Sequence, residues 1–427
     1  MMMTEQLNKK IHVALTTLLA FFIPLLPIAL PILIVLLSLN WLMKISNVSI
    51  SFRTIKQNRS LTLMIVLYVL YLLGLIYSSN FKFASEILET KFSFLIIPFV
   101  YAAYTNETKL QLTNYLKSFI FGCISYAILC FAYATYAFYK PVYTDLYGVL
   151  YDLGSNYFYY SYLSSVFHPS YASMYAVVAL FSIYYLYKKE FLKLNYFWIS
   201  VIAMFSIYIL LLSSKAGWIG LIFIYAVFIV DLIRNSRYLI ATAIVGGLVG
   251  LFLFLNVYYA PLYAQRIPKA EVIENAINEK DKNNKAVTTS TDGTGSRIFV
   301  WKASFEVIKE NLIIGVGTGD SRDKLMEKYL QKNMKTEYEF GLNSHNQFLN
   351  TTVSIGIIGL MVLILCFWMP FYHGWKQKEL LLIGFVVVVA MNLLFESMFE
   401  RQSGVIFYVF LNTILCSTFV PIKSNKY

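Results

Sequence analysis

Residues 346–369 read NQFLNTTVSIGIIGLMVLILCFWM, a polar start followed by a long apolar run without a single charge. At about 1.5 Å of rise per residue, such a run crosses the hydrocarbon core of a bilayer as one helix. The pattern repeats. Apolar spans recur at 11–24, 27–43, 61–77, 87–104, 113–139, 170–187, 195–212, 216–233, 238–257, 379–396 and 402–421, with ends good to a few residues. The sequence therefore predicts an all-α polytopic membrane protein with about 12 transmembrane helices. Pro24, Pro27 and Pro31 interrupt the first pair of spans, which also reads as one long kinked helix.

Composition points the same way. The 427 residues are 58% hydrophobic and 14% charged, with a mean hydropathy of +0.62. Soluble globular chains are about 45–50% apolar and about 25% charged. An ordinary cytosolic enzyme and a disordered chain are thereby excluded. Tyr and Phe, 34 of each, suit helix ends at a membrane interface. The net charge of +12 is then a matter of sidedness, and no nucleic-acid partner is expected. Cys123, Cys130, Cys366 and Cys416 all lie in apolar runs without C-x-x-C spacing, so neither a disulfide framework nor a zinc site is indicated. Lys9 and Lys10 precede the first run, which lacks a small-x-small cleavage site and reads as a retained helix.

With the N-terminus inside, the inner segments hold 17 Lys and Arg, from Lys9 and Lys10 through Arg53, Lys188 and Arg234 to Lys426. The short outer segments hold 5: Lys82, Lys91, Lys140, Lys215 and Arg401. This bias puts both termini in the cytoplasm and the loop of about 258–345 outside; long loops cross regardless of charge and do not vote. The organisation expected is residues 1–257 with nine spans, the outer loop 258–345, and residues 346–427 with three more.

The first part of the long loop, roughly 266–296, has no apolar period and reads as a mobile segment. Beyond it, Ile298, Trp301, Phe305, Ile308 and Leu312 recur at spacings of 3 and 4. They predict one face of an amphipathic helix, with Ser296 as N-cap and Lys302, Glu306, Lys309 and Glu310 opposite. A glycine cluster, Gly315-Val316-Gly317-Thr318-Gly319-Asp320, precedes a shorter helical pattern with Leu325, Tyr329 and Leu330. A second, tyrosine-rich outer loop, about 140–169, ends in His168-Pro169-Ser170.

Chemistry-bearing residues gather at this outer side. Of four histidines, His12 and His373 face the cytoplasm, and His168 and His345 face outward. His345, flanked by Ser344, Asn346 and Gln347, is either a polar helix start or a general base. Arg297 begins the amphipathic helix, where a cation is unfavourable unless it serves an anion, so it marks either a surface or a phosphate site. Lys215, in a tight outer turn, is either a snorkelling lysine or an anion ligand. Glu396, Glu400 and Arg401 cluster at another outer junction, as a structural ion pair or part of a polar cavity. The glycine cluster lacks the G-K-[ST] of a P-loop and reads first as a turn. Glu337 and Glu339 are weak grounds for a metal, and none is expected.

Ser296-Arg297-(x)3-Trp301, Gly315-Val316-Gly317-Thr318-Gly319, Ser344-His345-Asn346-Gln347-Phe348-Leu349 and Gly356-(x)2-Gly359 follow Ser214-Lys215-Ala216-Gly217-Trp218 in that order. Over about 205–360 the combination resembles the O-antigen ligase/polymerase family of bacterial membrane proteins; Leu88-Glu89-Thr90-Lys91 and Glu396-(x)3-Glu400-Arg401-Gln402 are also similar to it. The resemblance implies a twelve-helix, GT-C-like, metal-independent and cofactor-free glycosyltransferase of the inner membrane. Such ligases move a glycan from undecaprenyl diphosphate to lipid A-core at the periplasmic face. It implies His345 as the essential histidine and Arg297 as the loop arginine. A second family arginine falls on Lys215, which keeps the charge but loses the bidentate fork. His168, Asn346, Glu396, Glu400 and Arg401 would support them. The alternative is a polymerase with the same lipid-linked donor and a growing glycan as acceptor. A transporter is the other class, but its ionisable residues belong near mid-membrane, not at outer helix ends.

The orientation is testable by fusion. A reporter active only in the periplasm should work at about residue 285 and fail after Lys426; the reverse result would invert the site's sidedness.

Overall fold

The computed structural model describes residues 2–139, 157–164, 166–240 and 293–420, with scattered positions between 242 and 253. All regular elements among them are helical. They are α1 (Met2–Phe22), α2 (Ala29–Leu42), α3 (Ser46–Gln57), α4 (Arg59–Gly74), α5 (Phe81–Lys91), α6 (Ser93–Ala102), α7 (Thr105–Tyr139), the short α8 (Tyr160–Leu163), α9 (Pro169–Lys188), α10 (Tyr196–Leu211) and α11 (Lys215–Arg234). Then follow α12 (Gly293–Glu310), α13 (Ser321–Gln331), α14 (Lys335–Glu339), α15 (Gln347–Gln377), α16 (Leu380–Phe395), a 3-10 turn (Met398–Glu400) and α17 (Gln402–Phe419). Five helices, α7, α9, α11, α15 and α17, are long and apolar enough to cross a membrane, and the bent pair α2–α3 makes a sixth. Shorter apolar helices α4, α10 and α16 accompany them. This is a polytopic helical bundle of membrane type. The span expected over 238–257 and the mobile segment fall largely outside the described residues.

Most expected spans match a helix to within a few residues, but four readings change. The single span over 87–104 is two helices meeting at Phe92. α5 is amphipathic: it exposes Lys82, Ser85, Glu86 and Glu89 and buries Ala84, Ile87 and Lys91, so it packs over the bundle end rather than continuing α6. The polar stretch after α2 is the helix α3, bent 107° from α2 and held by Asn47, Ser51 and Ile55 on its buried face. Ser296 does not cap α12 and Arg297 does not begin it, because the helix already runs from Gly293 and Arg297 is its fifth residue. Nor is the buried face of α12 the one marked by large apolar residues. Val300, Ala303, Ser304, Val307 and Ile308 are buried, whereas Phe305 and Leu312 are 51% exposed. The small pair Ala303 and Ser304 lets α12 approach its neighbours closely, and bulk alone does not reveal that.

α12–α14 form a cap with its own small core of Val300, Val307, Leu325 and Tyr329, closed on α15 by Val353. Lys328–Glu310 (2.7 Å) and Lys332–Glu306 (2.6 Å) staple α13 to α12. In the bundle, α9 and α17 are central and almost wholly buried. All four cysteines are buried there as free thiols.

The cap is fastened at a break in α15. Ile355 (φ −131°, ψ 21°) and Gly356 (φ 67°, ψ −168°) leave helical geometry, which frees backbone groups that a regular turn would pair. The glycine loop takes them up. Val316 N–H donates to Val353 O (2.9 Å), Gly317 N–H to Ser354 O (3.0 Å), and Ile357 N–H to Leu312 O (2.9 Å). The loop also grips the end of α4. Thr318 Oγ–H donates to Tyr71 O (2.7 Å), Ser78 Oγ accepts from Gly319 N–H (2.9 Å), and the Asp320 carboxylate accepts from Ser79 and Asn80 N–H. The turn reading of Gly315–Gly319 therefore holds. The amides of Gly315, Val316, Gly317, Thr318 and Gly319 all have protein acceptors and make no phosphate cradle.

Gly356 has no room for a side chain: a Cβ there would stand 2.1 Å from Ile313 O, at a φ that L-residues avoid. Gly356→Ala should cost about 1–3 kcal/mol or more and lower the melting temperature of the purified protein by several degrees. Gly250→Ala, with nothing within 4 Å of the added carbon, should leave it unchanged.

Candidate functional site

The bundle has two chemically different ends. At one, Lys188–Asp231 (2.8 Å) and Lys189–Glu379 (2.9 Å) tie the end of α9 to the end of α11 and the start of α16. The other end of α16 carries Glu396, and here Arg297 and His345 meet.

Glu396 is the C-cap of α16, in extended conformation, with 13% of its side chain exposed. One carboxylate oxygen accepts from Arg297 Nη2 at 2.6 Å, and the other lies 3.5 Å from His345 Nδ1. A single acid thus bridges the cap helix α12 and the start of α15. Arg297 and His345 keep 21% and 28% exposure, so both are reachable yet partly desolvated. Burial pushes the Glu396 carboxyl up, but the His345 contact and the charges of Arg297 and His168 outweigh it and hold the pKa below the usual value.

The backbone at His345 is strained. Its φ of +42° lies in the left-handed region, unusual outside glycine. Asn343 Oδ1 accepts from His345 N–H (2.9 Å), and Asn346 Oδ1 caps α15 by accepting from Phe348 and Leu349 N–H. Asn346 is thus a helix cap that aims the preceding imidazole. In the tautomer that lets Nδ1–H donate to this carboxylate, Nε2 keeps its lone pair for another group.

His168 caps α9: Nδ1 accepts from Ser170 N–H (3.4 Å), and Nε2 lies 3.4 Å from Tyr160 Oη. Burial lowers its pKa; Glu396 opposes this, while Arg297, Arg401 and His345 add to it. His168 therefore shares the electrostatic field of the cluster although its hydrogen bonds are those of a helix cap. Lys215 is exposed at the first residue of α11, behind the turn Leu212–Ser214 in which Ser213 has φ +49°. Gly217, in the first turn of α11, packs directly on Ser173, which brings the start of α11 alongside the start of α9 that His168 caps.

Glu400 and Arg401 divide differently from Glu396. Glu400 pairs with Lys91 at 2.7 Å, and Lys91, only 1% exposed, also donates to Phe399 O (2.9 Å) and stands over the Tyr71 ring. Tyr71 Oη bonds to Thr351, which accepts from Gln347; Gln347 Oε1 in turn accepts from Phe399 N–H. Glu400 is therefore a structural partner in a buried network beneath the site. Arg401 is exposed and acts on His168 through its charge. The roles of Lys91 and Glu396 were not separable from spacing: both needed partners about 100 residues or more distant in the chain, Arg297 for Glu396 and Glu400 for Lys91.

Comparison with known proteins agrees with the resemblance. Residues 199–364 match the family described as O-antigen ligase, so this stretch is similar to that family, and it spans Lys215, Arg297 and His345. An uncharacterized protein of Haemophilus influenzae is 26% identical over 223 residues, covering 48% of this chain and 51% of that protein. The chain thus spans about half the length of the curated relative it matches.

The Glu396 pairings carry a pH signature. A depressed carboxyl pKa contributes stability above its unfolded value, and that stability is lost as pH falls through the lower, folded value. Wild-type melting temperature should drop on acidification below about pH 4.5. Glu396→Gln should be less stable at neutral pH by a few kcal/mol, with the gap closing in acid. An unchanged melting temperature at neutral pH would remove Glu396 from its bridging role.

Proposed function

We propose that the chain is a glycosyltransferase of O-antigen ligase type. It takes a glycan from undecaprenyl diphosphate and transfers it to a lipid A-core acceptor at the periplasmic face of the inner membrane. The orientation rests on the positive-inside bias, and the twelve-helix, GT-C-like architecture on the span pattern and the family likeness. The observation that carries the reading is the Glu396 carboxylate holding Arg297 and His345 at one bundle end. That arrangement pairs a base with a cation, which is what transfer from a diphosphate requires.

In this mechanism the acceptor hydroxyl attacks the anomeric carbon. Its oxygen forms the new glycosidic bond while the bond to the diphosphate oxygen breaks. The hydroxyl proton passes to His345 Nε2, and Glu396 stabilises the imidazolium through Nδ1–H. Arg297 spends one nitrogen on Glu396 and retains further N–H donors for the departing diphosphate. Lys215 adds charge as a point cation. A diphosphate leaves readily, so no strong general acid and no metal is invoked, and attack opposite the leaving group inverts the anomeric centre. The apolar spans would seat the polyprenyl tail. A polymerase would use the same donor and the same three residues with a growing glycan as acceptor.

Transfer of glycan from purified undecaprenyl-diphosphate donor tests these roles. His345→Ala should remain folded, bind donor and lose about 10²–10⁴-fold in rate, whereas His168→Ala should retain substantially more activity. Arg297→Ala should abolish transfer, Lys215→Ala should weaken it strongly, and Lys215→Arg should be tolerated because it adds a fork for phosphate. Near-normal transfer by His345→Ala would withdraw the mechanism. In a deletion strain, unmodified lipid A-core identifies a ligase, and a single attached repeat identifies a polymerase.

A further inference from the structure

The bundle end remote from His345 holds a cavity of about 580 Å³ between α9, α10 and α11. Its volume falls in the range of about 300–1,000 Å³ typical of small-ligand sites. Tyr184, Ile202, Tyr225 and Phe228 form much of the wall. The polar atoms of the wall at Ser206 are already satisfied: its hydroxyl lies 2.7 Å from Ile202 O and 2.8 Å from Tyr225 Oη. The interior thus offers apolar surface to an apolar guest.

Arg237 is the charged side chain among the described residues of this lining. It is exposed just beyond α11, in a turn fixed by its own N–H donating to Leu232 O (2.9 Å) and by Ser236 at φ +57°. Of the neighbouring cations, Lys188 pairs with Asp231 and Lys189 with Glu379, while Arg234 lies outside the described lining of the cavity. Arg237 makes no salt bridge among the described residues. An apolar cavity with a guanidinium at its rim is complementary to an amphiphile with one apolar chain buried and an anionic head outside.

We propose that this cavity binds one acyl chain of an anionic phospholipid, with the lipid phosphate on Arg237. A polyprenyl donor seated with its diphosphate on Arg297 and Lys215 would leave Arg237 without an anion. Leu232, at the Arg237 end, is about 25 Å along the α11 axis from Lys215. One donor molecule cannot place its diphosphate on Arg297 and Lys215 and also on Arg237. The assignment is independent of the transfer reaction.

Native mass spectrometry of the full chain tests it, with micelles containing phosphatidylglycerol, phosphatidylcholine of the same acyl chains, or undecaprenyl phosphate. Phosphatidylglycerol should be retained in preference to phosphatidylcholine, and Arg237→Ala should reduce that retention about fivefold. Lys10→Ala, a cation elsewhere on the chain, should have no effect. Equal retention of the two phospholipids, an unchanged Arg237→Ala variant, an equal loss in Lys10→Ala, or displacement of phosphatidylglycerol by undecaprenyl phosphate would each overturn the proposal.

Discussion

The break in α15 at Ile355–Gly356 is the constraint on which the rest depends. A membrane-type helix cannot leave backbone groups unpaired in an apolar setting, so a break must be filled from elsewhere in the chain. Here the segment Leu312–Thr318 fills it, using Val353 O, Ser354 O and Ile357 N–H. Because the same loop grips Tyr71, Gly74 and Ser78–Asn80, the cap helices are locked to α4 and α15 together. Arg297 rides on the cap, and His345 stands one residue before the Asn346 cap of α15. The clasp thus fixes the imidazole of one element against the guanidinium of another.

On that scaffold the site uses partial burial to advantage. Glu396, at 13% exposure, is desolvated enough for its contacts to count, yet the Arg297 guanidinium and the His345 contact keep its pKa low. The carboxylate orients the imidazole, and the left-handed backbone of His345 is held by Asn343 and by the helix cap. Beneath lies the Lys91–Glu400 network, whose buried lysine is paired by Glu400 and by a backbone carbonyl. Removing one partner of such a pair is costlier than never burying it.

Much of this was legible in the sequence. The apolar runs located α1, α4, α7, α9, α10, α11 and α15–α17, because a bilayer-length helix announces itself by continuous hydrophobicity. Arg297 was marked by a cation in an unusual place and His345 by its position where the long loop re-enters the membrane, and the structure brings both to Glu396. What stayed hidden was set by tertiary contact. Phe305 and Leu312 suggested the wrong buried face for α12, since the decisive residues were the small Ala303 and Ser304. The break at Phe92 follows from the amphipathic packing of α5 rather than from a proline or glycine. Glu400 looked equivalent to Glu396, and only their distant partners, Lys91 and Arg297, separate a structural acid from one at the site.

The account's central claim is that Glu396 fixes the His345 imidazole with Nδ1 protonated and Nε2 open to an acceptor hydroxyl. Histidine-selective ¹⁵N NMR of the purified protein, with His345 assigned by substitution, reads that tautomer directly. The account predicts the Nδ1–H tautomer, with Nε2 bare, for the neutral form of the His345 ring, and a shift toward a tautomer mixture in Glu396→Gln. A His345 signal protonated at Nε2, and indifferent to Glu396, would contradict it.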